Sequence, residues 1–145
     1  MNTSQYPRSP KVLLGGLAHL ARLIDKVRLR HAGFIRDYNY LTAGFDKSLI
    51  ELLNLDAQAF EQQVLAGGTD EAILEWVRTN GKTLSEAEIR LWTKKVLTAG
   101  PSDDAARERF QGRLRDVAAK REVSLESLPP VTTWVDAIEL DEERL

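Results

Sequence analysis

Four residues with charged or chargeable side chains recur along one segment: His19, Arg22, Lys26 and Arg30. At about 100° per residue an α-helix gathers them into one narrow stripe, with Asp25 and Arg28 on its flank. Guanidinium and ammonium groups on one face suit a phosphate, a carboxylate or an acidic peptide. The same pattern also describes an ordinary solvated helix face, with Asp25 bridging Arg22 and Arg28 at i±3 spacing. A third partner is the chain's own acidic end, with Glu139, Asp141, Glu142 and Glu143. Lys26 beside Asp25 also has the makings of a base or a Schiff-base nucleophile if desolvated, but no second group stands at a diagnostic spacing.

Other candidates are weaker. Phe34, Tyr38 and Tyr40 surround Arg36 in a stretch without helical period. Aromatics interleaved with arginine can stack on nucleobases, or they can cover the open end of a small core. The acidic balance of the chain weighs against nucleic acid. Tyr38 follows the basic segment directly and joins the candidate binding set. His19 and His31, the only histidines, do not have the i, i+4 spacing of a helical metal site. His31 suits the negative end of a helix. Neither Gly15-Gly16 nor Gly67-Gly68 fits a phosphate-binding loop, and there is no Gly-x-Ser-x-Gly elbow. The absence of cysteine excludes disulfides, thiolate catalysis and thiolate-bound metals. No cofactor or metal is implied.

Charge is divided unevenly. Residues 1–36 carry seven basic side chains and one acid, while the remainder carries 13 basic and 21 acidic. With 43% hydrophobic and 29% charged residues, the composition is that of an ordinary globular protein. Arg8 and Lys11 ahead of residues 12–18 have the outline of a signal peptide. His19 interrupts that run, and the apolar spacing continues beyond it. No apolar run approaches the ~20 residues of a membrane span. The expected location is the cytoplasm, without a membrane.

The elements that must position these residues are helices. Leu13, Leu17, Leu20, Ile24 and Val27 recur at three- and four-residue steps, predicting a helix over 13–31 that ends before Gly33. Residues 34–41 read as a loop or one short strand. Asp46 is placed to cap 47–54, Asp56 to cap 57–66, and Thr69 or Asp70 to open 70–79. Ser85 and Glu88 form a capping box for 86–98. A helix over 103–121 has acids at its start and bases at its end, as the helix dipole favours. Pro129-Pro130 breaks the chain, and Thr133 caps a last turn or two. Trp76, Trp92 and Trp134 read as core anchors. The predicted fold is all-α, an irregular bundle of six or seven mostly short helices. Its predicted organisation is an extended arm at 1–12, one helical domain at 13–138 and an acidic tail at 139–145.

The segments Gly15-Gly-Leu-Ala-His-Leu-Ala-Arg-Leu-Ile-Asp-Lys-Val-Arg28 and Gly67-Gly-Thr-Asp-Glu-Ala-Ile-Leu-Glu-Trp76, with Glu88-Ile89 before Trp92 and the stretch 133–142, resemble a bacterial family known as domain of unknown function 5069. The resemblance implies the fold and no activity. The function expected from the residues is a non-enzymatic binding or interaction module, whose basic helix face meets an anionic small molecule or an acidic protein segment. The alternative is an enzyme acting on a phosphorylated or carboxylated metabolite through Asp25, Lys26 and an arginine. A pocket around a buried Lys26 favours the enzyme, and a flat solvated stripe the module.

Overall fold

The computed structural model describes residues 6–36 and 38–145. Its helices are α1 (Leu20–His31), α2 (Gly44–Leu52), α3 (Ala57–Leu65), α4 (Asp70–Asn80), α5 (Glu86–Thr98), α6 (Asp104–Arg121) and α7 (Trp134–Asp141), with a 3₁₀ turn at Leu125–Ser127. Most start where a polar side chain can accept from a backbone N–H that the helix itself leaves without a partner. Asp56 accepts from Ala59, Thr69 from Ala72, Asp103 from Ala106 and Thr133 from Asp136. Ser85 and Glu88 cap each other reciprocally, both bonds at 3.1 Å. Among the described residues there is no strand. One bridge pairs Leu14 with Leu17, and the described part of 34–41 is irregular. The fold is all-α.

The helix expected over 13–31 begins at Leu20, seven residues late. The cause is Gly15-Gly16. Both have positive φ, 59° and 80°, and they form a tight turn in which Leu14 and Leu17 exchange backbone hydrogen bonds of 3.1 and 3.0 Å. Two consecutive positive-φ residues are the signature of a type I′ turn, which no helix can contain. The turn is also packed. A Cβ at Gly15 would lie 2.9 Å from the Leu74 side chain. Side chains of α5 then hold the following residues. Thr93 Oγ1 donates to Gly16 O at 2.7 Å and accepts from Ala18 N at 3.0 Å, while Trp92 Nε1 donates to Ala18 O at 2.9 Å.

The elements fall into two compact units, one ending at Val96 and one spanning Leu97–Leu145. In the first, α1 packs on α3 and α3 on α4. Its buried apolar residues include Leu20, Leu23, Ile24 and Val27 of α1, Leu49 of α2, Phe60 and Val64 of α3, Ile73 and Val77 of α4, and Trp92 and Val96 of α5. The described part of the 1–12 arm lies against α1. Pro7 and Pro10 are buried, and Pro10 O accepts from His19 N at 3.0 Å.

In the second unit α6 packs on α7. Phe110, Val117, Val135, Ala137 and Leu140 are buried, and Phe110 meets the edge of Trp134 at 5.1 Å between ring centres. The acidic stretch at 139–145 begins within a helix. Residues 139–141 are the last turn of α7. Glu139 and Glu142 are buried and share Arg144 at 3.1 and 2.8 Å. Asp141 pairs with Lys120 at 3.3 Å. Three of the acids proposed to reach the basic stripe thus have cationic partners inside their own unit.

Candidate functional site

The basic stripe is not a solvated face. His19 and Arg22 are each 2% exposed and Lys26 is 4% exposed, because α1 is covered on its polar side as well as its apolar one. Over it lie described residues that follow α1: Tyr38 beside Arg22 and Lys26, Asn39 bonded to Lys26, and Leu41 bonded to Asp46 of α2. Arg30, one turn beyond Lys26, does reach the surface.

The centre of this arrangement is Asp46, in the first turn of α2 and fully buried. The sequence places it as a helix cap. Instead its carboxylate turns to α1. One oxygen, Oδ1, accepts from His19 Nε2 at 2.6 Å and from Lys26 Nζ at 3.0 Å. The other, Oδ2, accepts from Leu41 N at 3.0 Å. Lys26 Nζ also donates to Asn39 O at 3.0 Å. The Tyr38 ring lies against both cations, 5.7 Å from the Arg22 guanidinium carbon and 5.9 Å from Lys26 Nζ, within cation–π range. Arg22 Nη1 reaches Arg8 O at 3.2 Å. Three of the expected site residues, His19, Arg22 and Lys26, are therefore buried, with the half-buried Tyr38 ring beside the two cations; His19 and Lys26 meet at a carboxylate that the sequence did not single out for this role.

His19 carries two further marks. It stands immediately before α1 with φ 75°, a left-handed conformation that costs a non-glycine residue roughly 1–3 kcal/mol and is found where surrounding structure over-determines it. Its backbone is fixed by the bond to Pro10 and by Leu23 N donating to its carbonyl at 2.9 Å. Its Nδ1 is buried and has no hydrogen-bond partner among the described residues. Burial draws the imidazole below its ordinary pKa of 6.5; the Asp46 hydrogen bond opposes this, and the charges of Lys26 and Arg22 reinforce it. The ring is therefore neutral at pH 7, with Nε2–H donating to Asp46 and a lone pair on Nδ1. For Asp46, burial pushes the pKa up, but the His19 hydrogen bond and the Lys26 charge together pull the carboxyl below its usual value.

The remaining expected residues point elsewhere. Asp25 does not bridge Arg22 and Arg28, nor does it pair with Lys26. Its carboxylate is taken by Arg8, at 2.8 Å from the backbone N–H and 2.9 Å from Nε. The same guanidinium forks onto Asp70 of α4 at 2.6 and 3.0 Å, and these two carboxylates raise the Arg8 pKa further. Arg28 donates to Gly68 O at 2.9 Å. Arg30 stacks on Tyr40 at 4.4 Å. Tyr40 in turn donates to Glu61 of α3 at 2.5 Å, and His31 lies 3.3 Å from the same carboxylate oxygen. Burial, then the Glu61 bond, raises the Tyr40 pKa well above its usual range. This second cluster ties residue 40 to α1 and α3. An open groove of about 480 Å³ bordered by Glu51, Leu52, Leu91 and Trp92 shares no residue with the Asp46 cluster.

Sequence reasoning missed Asp46, Arg8, Asp70 and Glu61. Asp46 carried one available signal: it is an acid in a predominantly apolar stretch, Leu41 to Leu53, where a helix needs few charges. Among the described residues no three of histidine, aspartate and glutamate come together as a metal site, and no helix is long and apolar enough to cross a membrane.

These features define an all-α protein with a buried carboxylate that accepts from a lysine and a histidine. The chain belongs to the family described as Domain of unknown function (DUF5069), whose sequence profile matches residues 4–144. No curated protein matches it in sequence.

Proposed function

We propose that the protein is a non-enzymatic binding module of the bacterial cytoplasm and that its ligand is a small anion received beside Arg22, Lys26 and Tyr38. The observation that carries this reading is the convergence of two buried cations with a buried histidine whose Nδ1 lacks a partner among the described residues. Buried polar atoms are ordinarily hydrogen-bonded, and an exception calls for a cause. The burial of Arg22 and Lys26 favours a small molecule over an acidic protein segment, which would need the stripe on the surface.

The test is thermal unfolding of the intact chain at low ionic strength, with sodium phosphate, sodium succinate or sodium acetate compared with sodium chloride at equal ionic strength. A ligand at a hundred times its Kd stabilises the native state by about 2.7 kcal/mol. A rise of several degrees is expected with at least one of the three, and its loss in Arg22→Gln. No rise with any of them would refute the reading.

One observation favours the enzyme instead. Lys26 is buried and shares a carboxylate with a histidine, the grouping in which a base is oriented by an acid. The residues of that alternative are then Lys26, His19 and Asp46, with Arg22, and not Asp25. Turnover of carboxylated or phosphorylated metabolites that is abolished by His19→Gln, with binding retained, would decide for it.

A further inference from the structure

Leu91 of α5 is 70% exposed, more than any other large apolar side chain among the described residues. A lone exposed leucine is ordinary. This one borders the open groove of about 480 Å³ between α2 and α5, where Leu52 and Trp92 supply further apolar lining. An apolar knob and an apolar hollow thus share one face. Each offers what the other lacks, which is the condition for a surface to bind a copy of itself. An open groove encloses too little of a small molecule to hold it, since ligand pockets bury most of their ligand's surface. The groove shares no residue with the Asp46 cluster.

The charges around Leu91 fix how two copies would meet. Glu88, Leu91 and Lys95 all line the groove from α5. By helix geometry Glu88 lies about 4.5 Å along the axis before Leu91, and Lys95 about 6 Å after it. Around the axis, Glu88 stands about 60° to one side of Leu91 and Lys95 about 40° to the other. A two-fold axis passing through Leu91, perpendicular to the helix, reverses both displacements. It sets Glu88 of each copy against Lys95 of the other, on the same side and at nearly the same level. A parallel pairing would set like charges level with each other. Lys95 is exposed and has no ion-pair partner among the described residues. Glu88 holds Lys82 at 3.0 Å and accepts from Ser85 N at 3.1 Å. Its carboxylate is still 39% exposed, with lone pairs for a further cation. We infer that this face is a self-association surface: two copies of the chain pair their α5 helices antiparallel about Leu91, with Lys95 of each against Glu88 of the other.

The test is sedimentation velocity of the intact protein at chain concentrations from micromolar to near-millimolar, because a contact of one helix pair is small and weak. A reversible monomer–dimer equilibrium is expected. Leu91→Glu and Lys95→Glu change exposed side chains, so circular dichroism should show both variants folded. Each is expected to raise the dimer Kd by about tenfold or more, the first by removing the central apolar contact and the second by opposing like charges. A charge swap fixes the orientation. Lys95→Glu alone sets two acids face to face, and Glu88→Lys alone sets two lysines face to face. Mixed in equal amounts, the two variants oppose unlike charges at both contacts. The mixed dimer should be about tenfold or more tighter than either variant by itself. A protein monomeric at every concentration, or a dimer indifferent to Leu91→Glu or to Lys95→Glu, would overturn the proposal. So would a mixture of folded variants that associates no better than its components. None of these outcomes bears on the anion-binding reading, which rests on other residues.

Discussion

Replacing Asp46 with alanine removes a carboxylate that joins α1, the segment at 38–41 and α2. The carboxylate is fully buried and accepts from three donors: His19 Nε2, Lys26 Nζ and Leu41 N. Each of those donors is itself buried. Each bond to a charged group contributes about 1.5–3 kcal/mol, and a buried donor stripped of its acceptor costs about 1–3 kcal/mol. These terms overlap, since they describe the same bonds, and some relaxation around the small alanine is expected. Removing one partner of a buried ion pair is measured at about 3–5 kcal/mol, and that is the expected loss for Asp46→Ala. It is a large part of the roughly 5–15 kcal/mol by which a domain is stable. Asp46→Asn retains an acceptor oxygen at the same place and loses the charge, so its cost should fall between those of alanine and wild type. Urea unfolding followed by far-ultraviolet circular dichroism reads the result as a shift in midpoint at unchanged slope. A loss below about 1 kcal/mol for Asp46→Ala would refute the account of Asp46 as the hub, and with it the claim that this carboxylate holds the polar side of α1 in the interior.

Stability should fall as pH drops below 6.5. Burial, opposed by Asp46 and reinforced by Lys26 and Arg22, depresses the folded-state pKa of His19 below 6.5, so the unfolded chain takes up this proton first. The contribution from this one group has a slope of at most about 1.4 kcal/mol per pH unit. It should flatten in His19→Gln when urea midpoints are compared between pH 7 and pH 5, and an unchanged slope in the variant would count against a buried neutral imidazole. Gly15→Ala should cost about 1–3 kcal/mol, the range for a strained non-glycine backbone. Its Cβ would also meet Leu74 at 2.9 Å; thermal unfolding with no loss would mean that the turn ahead of α1 is not required.

What the sequence determined by itself was local. The caps at Asp56, Thr69, Ser85/Glu88 and Thr133 act within three residues of themselves, so reading them needs no knowledge of what packs nearby. The apolar period of Leu20, Ile24 and Val27 names one face of α1 correctly for the same reason. The Gly15-Gly16 turn was legible too, but periodicity running from Leu13 hid it. Periodicity registers which side chains are apolar and says nothing of a backbone that two glycines have reversed. What only tertiary structure decided was the fate of the other face. A helix with basic residues opposite its apolar stripe is by itself indistinguishable from a surface helix. Whether that stripe meets water depends on where a segment some ten residues further along folds back. Asp46 shows why. As the third residue of α2, its local position suits the helix dipole and gives no hint of its partners. Its carboxylate can instead neutralise a buried lysine and hold a histidine only when α1 comes within hydrogen-bonding distance. That proximity belongs to the packing of both helices and to neither one's sequence.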